Sequence, residues 1–465
     1  MSSSFIQQLL DALVTPYALV AMVVAVVVLE LAEHYRPFAW SLFSLCCFTS
    51  SLGVFDDEWN GRGPRLVFPL EQLRSLGRPL TIALVALILI IGLIKRGGPM
   101  RLSISRPAIY LFVVQVLIFL KTMNAGNMGF ALMAIGTFGA VVLMILLGPD
   151  RWLQEESNFH FGVRALALVT VVFVLLSAYQ AVFDVGAITF PHGRLIGTTD
   201  NAQHAAVALA LTVPCFMFLI ERREFRDIAK IAWIAGLAAV LIALVMTGSR
   251  TGGLMALVSI LVFFRRRLGK LFLFAIGAGV IAVFVTPYLL QHMGISDSDV
   301  GDFYMARGNT RADSWQGMWE KFTADPLFGA PLEGGRPTFA ENSWLAVAAV
   351  LGLSGLIPLL LFGYETVKMM KWLTVRGRSH PAYALHVSTI VAGLTALFMG
   401  SLLECFLLGS LTFPLFALLL FLSLGKNLLE SIPAETPEVP RPAEDQTPSA
   451  PTRRPGPVKR AIAIR

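Results

Sequence analysis

Long apolar runs separated by short polar segments dominate the chain. Each run is close to the roughly 20 residues that a helix needs to cross the hydrocarbon core of a bilayer. The pattern predicts an all-α polytopic membrane protein in which residues 1–430 form one transmembrane helical bundle. The runs lie at residues 17–33, 38–54, 79–94, 107–121, 128–147, 163–184, 201–220, 229–247, 250–264, 270–290, 342–364, 384–402 and 405–424.

Basic residues between the runs predict the orientation, because short cytoplasmic loops are enriched in Lys and Arg. The clusters within residues 95–106, 222–230, 265–270 and 368–378 agree with one another if each intervening run crosses once. With these in the cytoplasm, the segments 185–200, 248–250 and 289–341 face the periplasm of a bacterial inner membrane. Counting both 17–33 and 38–54 as spans gives thirteen crossings. A single crossing by that pair gives twelve, which is the number we predict.

The longest polar interruption, residues 289–341, is predicted to be a large, partly helical periplasmic loop that carries function. Within it Arg307, Arg311, Trp315 and Trp319 recur every four residues, so they would share one face of a helix. Guanidinium groups suit phosphate oxygens, and tryptophan faces suit sugar rings. The same spacing is equally typical of an amphipathic helix on the bilayer surface, with Trp anchors and snorkelling Arg side chains.

Glu341 and Asn342 stand where this loop re-enters the membrane, just before Trp344. A carboxylate at this position can act as a general base beside a cavity that excludes water. It can also simply complement the dipole at a helix N-terminus. The spacing favours neither interpretation.

Two further segments on the same predicted side carry candidate residues. PHGRLIGTTDNAQHA contains His192, Arg194 and His204, and TGSRTGG places Arg250 at a tight turn. An arginine at the edge of the bilayer usually has a partner or a ligand, although a snorkelling contact with lipid headgroups is the alternative for Arg250. Four arginines on one side suit a lipid-linked pyrophosphate, whose departure they would stabilise without a metal. These are Arg194, Arg250, Arg307 and Arg311.

Composition and charge exclude several other classes. Only 14% of the 465 residues are charged, against roughly 25% in soluble proteins. The net charge of +7 does not indicate nucleic acid, because the basic residues are spread between the runs, where membrane lipids are their natural partners. The four cysteines lie in apolar runs without metal-site spacing.

No metal or other cofactor is expected. The acidic segment DSDVGD, with Asp297, Asp299 and Asp302, suits turns and helix caps better than a metal site. No cleaved signal peptide is expected at the N-terminus. Residues 431–465 are rich in Pro and charge, which predicts a disordered cytoplasmic tail.

Several of these segments resemble the O-antigen ligase and polymerase superfamily of bacterial inner membranes. They are GRLIGTTDNAQHAA, the TGSRTGG turn, and R-x-x-x-W-x-x-x-W-x-x-F-x-x-x-PLFG followed by ENSWLAVAAVLGLSGL. They occur in that order, and the resemblance covers about residues 80–424.

The resemblance implies a metal-independent glycosyltransferase, with Arg194, Arg250 and Arg311 binding the pyrophosphate of the donor. The family usually has a His-Asn pair, implicated in activating the acceptor, where this chain has Glu341-Asn342. A carboxylate can perform the same role, and His192 and His204 are the other candidate bases.

The expected function is that of an O-antigen ligase, which transfers a polysaccharide from undecaprenyl pyrophosphate to a sugar hydroxyl of the lipid A core. A single displacement would invert the anomeric carbon, and Trp315, Trp319 and Trp344 would shape the sugar path. O-antigen polymerase and protein O-oligosaccharyltransferase are the alternatives within the superfamily. A lipid or glycan transporter is the alternative from a different class.

Overall fold

The computed structural model describes residues 16–53, 66–94, 104–153, 159–189, 193–224, 227–269, 277, 310–332, 341–408 and 411–433. All regular elements in these ranges are helices, which confirms the predicted all-α class. The α-helices are α1 (Pro16–His34), α2 (Arg36–Ser50), α3 (Leu70–Ile94), α4 (Arg106–Asn124), α5 (Met128–Leu147), α6 (Pro149–Trp152), α7 (Phe159–Phe183), α8 (Ala202–Glu221), α9 (Ile228–Met246), α10 (Arg250–Leu268), α11 (Thr310–Ala324), α12 (Ser343–Ser379), α13 (Ala384–Ser401) and α14 (Phe413–Ser431).

Nine helical segments within the described ranges are long and apolar enough to cross a membrane. Their outer faces are apolar as well, as Val182 and Ile228 illustrate with 81% and 82% of their surface exposed. Exposed apolar surface on this scale suits lipid and not water. The chain is therefore a multi-pass membrane protein. The first predicted pair of spans corresponds to α1 and α2. Because α2 has only 15 residues, fewer than the roughly 20 that a full crossing needs, the choice between twelve and thirteen crossings stays a prediction.

Helix α8 lies at the centre of the bundle and packs against α7, α9, α10 and α13. Of its most apolar window 83% is buried, compared with 17% for α9 at the periphery. Small side chains allow the close approach, because van der Waals packing drives helix association in lipid. A Cβ atom on Gly252 of α10 would lie 2.6 Å from the Cβ of Ala206 in α8.

Helix α12 is kinked at Gly352, whose φ of 62° belongs to the left-handed region. The segment that follows α11 fills the kink. Leu353 N–H donates to the carbonyl of Pro326 at 2.7 Å, and Ser354 N–H donates to the carbonyl of Leu327 at 3.1 Å. The kink thus exchanges bonds within the helix for bonds to the segment, so no backbone donor is lost at these two positions.

Lys121, near the end of α4, binds both the segment that follows α11 and α12 next to its kink. Its ammonium group donates to the carbonyl oxygens of Phe328 at 2.6 Å, Gly329 at 2.8 Å and Val350 at 2.6 Å. An ammonium group has three N–H donors, so all three have a carbonyl acceptor here.

Two of the predicted spans differ from the observed helices. Helix α12 continues to Ser379, well beyond the predicted end at 364. The last helix begins at Phe413 and not at 405. Residues 402–408 instead form turns and bends that are largely buried in the protein. Apolar residues there pack against protein, a situation that hydropathy cannot distinguish from burial in lipid.

Several predictions fall outside the described residues. They are the span at 270–290 apart from residue 277, residues 289–309 and 333–340 of the long loop, and most of the predicted tail at 431–465. The chain divides into two units at this tail, Met1–Ile432 and Pro433–Arg465.

Candidate functional site

Arg311 lies in the first turn of α11 and connects this helix to three other segments. Its Nη2 donates to Glu404 Oε1 at 2.5 Å and to Thr251 Oγ1 at 3.0 Å. Its Nε lies 3.5 Å from Glu341 Oε2. The predicted residues Arg311 and Glu341 are therefore neighbours, and a second carboxylate, Glu404, joins them.

Glu404 is the functional candidate that the sequence analysis missed. It follows α13, and its backbone is fixed because Ser343 Oγ donates to the Glu404 carbonyl at 2.8 Å. Only 8% of its side chain is exposed. Burial raises the pKa of Glu404 above its ordinary value, although the Arg311 guanidinium opposes this effect. The available signal was one acidic residue between two apolar runs, where a charge is expensive and usually functional.

Asp200 and His204 form a second ionisable pair, which spans the loop before α8 and its first turn. His204 Nδ1 lies 2.8 Å from Asp200 Oδ1. Gly53 lies close against the backbone of Asp200, an approach that only glycine permits, because a Cβ atom on Gly53 would lie 2.1 Å from the Asp200 backbone nitrogen. Burial tends to raise the pKa of Asp200, but the hydrogen bond and charge of His204 and the charge of Arg74 together lower it below its ordinary value.

A cavity of about 500 Å³ opens beside these groups. Its polar lining includes Asp200, His204, Glu404 and Arg78. Its apolar walls come mainly from α5 and from the start of α14 with the segment before it. These apolar residues are Phe130, Met133, Ala134, Phe138, Val141, Phe406, Leu411, Phe413, Pro414 and Leu415. A cavity of this kind fits a ligand with a polar head and an apolar body.

The predicted arginines converge on the turn between α9 and α10. Arg194 Nε donates to the carbonyl of Thr247 at 2.7 Å. Arg250 is the first residue of α10 and is exposed, and the next residue, Thr251, accepts the bond from Arg311. This turn therefore brings Arg194, Arg250 and Arg311 to one end of the bundle. The N-terminus of α10, which Ser249 caps by accepting from the Gly252 N–H at 3.3 Å, adds positive potential through the helix dipole.

Asn342 and Trp344, predicted to bind substrate, have structural contacts. The Asn342 side chain caps α12 by accepting from the N–H groups of Trp344 and Leu345, each at 2.9 Å. The indole of Trp344 donates to Ser401 Oγ at 2.9 Å and packs edge-on against Phe398. Both residues fix the start of α12 next to Glu341.

The tryptophans of α11 have different surroundings, although they are four residues apart. Trp315 packs on α12 with Met318, Ala346 and Ala349. Trp319 is 56% exposed. The side of α11 that carries Arg311 and Trp315 therefore contacts the bundle, and Trp319 offers its surface to solvent or to a ligand.

Arg307 and His192 lie outside the described residues, as do Asp297, Asp299 and Asp302. Among the residues that the structure does describe, no group of three or more His, Cys, Asp or Glu side chains could hold a metal ion.

Comparison with models of known protein families finds no match, and comparison with curated proteins finds none either.

Proposed function

We propose that this protein is a membrane glycosyltransferase that takes a glycan from undecaprenyl pyrophosphate and joins it to an acceptor hydroxyl, as an O-antigen ligase does with the lipid A core. The observation that carries the proposal is the cavity, which has apolar walls and an ionisable end that includes Arg78, Asp200, His204 and Glu404. A polyprenyl donor has the same division, with an apolar chain, a charged pyrophosphate and a polar glycan.

Stabilisation of the leaving group is the main electrostatic task of this reaction. The pyrophosphate carries negative charge that increases as the glycosidic bond breaks, and fixed positive groups aimed at it lower the barrier. Arg250 and Arg194, with the N-terminus of α10, provide positive charge at the turn beside the site. We assign them to the donor pyrophosphate.

Arg311 has a different role in this proposal, because two carboxylates already accept from or lie against its guanidinium group. It holds α11 over the bundle and keeps Glu341 and Glu404 next to each other. The predicted contact between Arg311 and the pyrophosphate requires exchange of one of these carboxylates for a phosphate oxygen. Exposed Trp319 is available to the glycan on the same helix.

The orientation that the basic loops predict places this end of the bundle in the periplasm, in the inner membrane of a bacterium. Lipid-linked donor and lipid A core would both reach the site there. No nucleotide takes part, because the donor already carries its leaving group.

The test is transfer by the purified protein in proteoliposomes. The donor is undecaprenyl pyrophosphate carrying a labelled glycan, the acceptor is lipid A core, and EDTA is present without nucleotide. We expect labelled lipid A core, and we expect Arg250→Ala to reduce the rate by about 10²-fold, as loss of one group that stabilises the transition-state charge does. Arg267→Ala is the matched control, because Arg267 lies at the other end of α10 and pairs with Glu221.

The outcomes separate the alternatives. Transfer to a second lipid-linked glycan would identify a polymerase, and transfer to protein an oligosaccharyltransferase. Movement of the intact donor between leaflets without any covalent product would replace the proposal with a transporter.

A further inference from the structure

We propose that His204, oriented by Asp200, is the general base that takes the proton from the acceptor hydroxyl. This inference rests on the proposed glycosyl transfer and assigns a residue and a step to it. It differs from the expectation that Glu341 takes the role of the family's histidine.

The geometry of the pair is suited to proton transfer. The bond from Nδ1 to Asp200 Oδ1, at 2.8 Å, fixes the tautomer with its proton on Nδ1. The other ring nitrogen, Nε2, then carries the free lone pair. Among the described residues none hydrogen-bonds to Nε2, and 59% of the His204 side chain is exposed. Because His204 lines the cavity, this lone pair is available to a ligand.

Asp200 is held firmly enough to act as the orienting group. Gly53 contacts its backbone, and Gly53 N–H donates to the carbonyl of Thr198 at 3.1 Å. The next residue, Thr199, accepts from Arg74 Nη2 at 3.3 Å. Segments from α2, α3 and α8 thus meet at the loop that carries Asp200. A carboxylate positioned in this way stabilises the imidazolium that forms when the histidine takes a proton.

The two other carboxylates of the site are less suited to this step. Glu341 and Glu404 both face the Arg311 guanidinium, at 3.5 Å and 2.5 Å, so an acceptor hydroxyl would have to compete with this cation for their oxygen atoms. Glu341 also lies outside the cavity lining, whereas His204 and Glu404 belong to it. Glu404 is close enough to interact electrostatically with His204, and its negative charge adds to that of Asp200 in stabilising the imidazolium.

The step balances with these groups. The acceptor O–H bond breaks and its proton moves to His204 Nε2, while the oxygen forms a bond to the anomeric carbon of the donor. The bond from that carbon to the phosphate oxygen breaks, and the pyrophosphate leaves with the electron pair. The proton on His204 then passes to water. No oxidant, reductant or further reactant is required.

The experiment uses the full-length protein in proteoliposomes with the labelled undecaprenyl pyrophosphate glycan and lipid A core. We expect His204→Ala to lower kcat by at least about 10²-fold, the usual contribution of a general base, with unchanged binding of the labelled donor. Free imidazole should restore part of the rate, because it can occupy the space of the missing ring. Gln203→Ala, in the same turn of α8, is the matched control and should keep the wild-type rate.

Asp200 is a positioning residue, so its variant has a separate readout. Asp200→Asn should lower kcat by about 10-fold or more while the KM for the donor stays the same. Loss of donor binding in either variant would show a structural role instead.

The proposal is overturned if His204→Ala keeps the wild-type rate. It is also overturned if His204→Ala and Glu341→Gln are equally inactive and imidazole does not restore the activity of His204→Ala. Failure of the proposed function looks different, because the wild-type protein itself would then transfer no glycan to any acceptor. In that case the assignment of His204 falls with it.

Discussion

Replacement of Arg311 by Met should destabilise the protein, because it leaves a buried carboxylate without its cation. Arg311 Nη2 lies 2.5 Å from Glu404 Oε1, and the two side chains are 21% and 8% exposed. Met has a similar length and no charge, so the change removes the ion pair and the bond to Thr251 with little loss of volume.

The magnitude follows from burial. Removal of one partner from a buried ion pair costs about 3–5 kcal/mol. Glu404 can relieve part of this cost by taking up a proton, because burial already raises its pKa. We therefore expect about 3 kcal/mol, the lower end of that range. Scaling the usual unfolding entropy per residue to this chain length gives a fall in Tm of about 3 °C.

A double-mutant cycle isolates the pair. Thermal unfolding is followed in lipid nanodiscs at one scan rate, because Tm depends on the rate when unfolding is irreversible. Glu404→Gln should cost about 1 kcal/mol, since the amide oxygen still accepts from Arg311. The double variant should be more stable than the sum of the two changes predicts, with a coupling of about 1–3 kcal/mol.

The control is Glu341→Gln, which removes a partner that is 31% exposed and 3.5 Å away. Its effect should stay within about 1 kcal/mol. Strictly additive effects of Arg311→Met and Glu404→Gln would refute the reasoning, because they would mean that the two groups do not interact.

Three more predictions concern the remaining contacts. Lys121→Met removes three bonds to carbonyl oxygens, so it should lower Tm and make the segment after α11 a site of limited proteolysis; unchanged cleavage would contradict this. Gly352→Ala should cost at least about 2 kcal/mol, because φ is 62° and the new Cβ would lie 2.5 Å from the Leu327 carbonyl carbon. Gly253→Ala, a helical control with no atom within 4 Å of its Cβ, should be neutral or stabilising in unfolding measurements. Finally, the raised pKa of Glu404 means that the folded state binds this proton more tightly than the unfolded state. The contribution of Glu404 to stability is therefore complete below its ordinary pKa of 4.5 and is lost as pH rises through the pKa of the folded state. Glu404→Gln should remove this pH dependence from a plot of Tm against pH, and parallel plots for the two proteins would refute the prediction.

Local sequence patterns predicted the membrane part of the fold well. The spans at 128–147, 201–220 and 229–247 correspond closely to α5, α8 and α9. Hydropathy succeeds here because the transfer of a helix into lipid depends on the residues of that helix alone. The same argument failed at 405–408, where most residues are buried within the protein and the backbone is not helical.

The candidate site was predicted in part. Arg311 and Glu341 were chosen separately from the sequence, and the structure makes them neighbours. Asn342 was chosen for substrate contact, which stays a prediction, and the structure shows that its side chain caps α12. A residue before a helix can perform either role, and only the observed bond to the Trp344 N–H identifies the cap. Glu404 was missed because a lone carboxylate between apolar runs has no periodic pattern around it.

The sequence by itself determined that this chain is an all-α membrane protein, since helix formation and burial in lipid are both decided over about 20 consecutive residues. It also determined which residue types are available at one end of the bundle. Only the tertiary structure decided their partners. Arg311 and Glu404 are 93 positions apart. Asp200 and His204 lie near Glu404 because α8 packs against α13, the helix that precedes Glu404. Contacts of this kind depend on how helices pack across the bundle, and no local pattern of hydrophobic and polar residues encodes that packing.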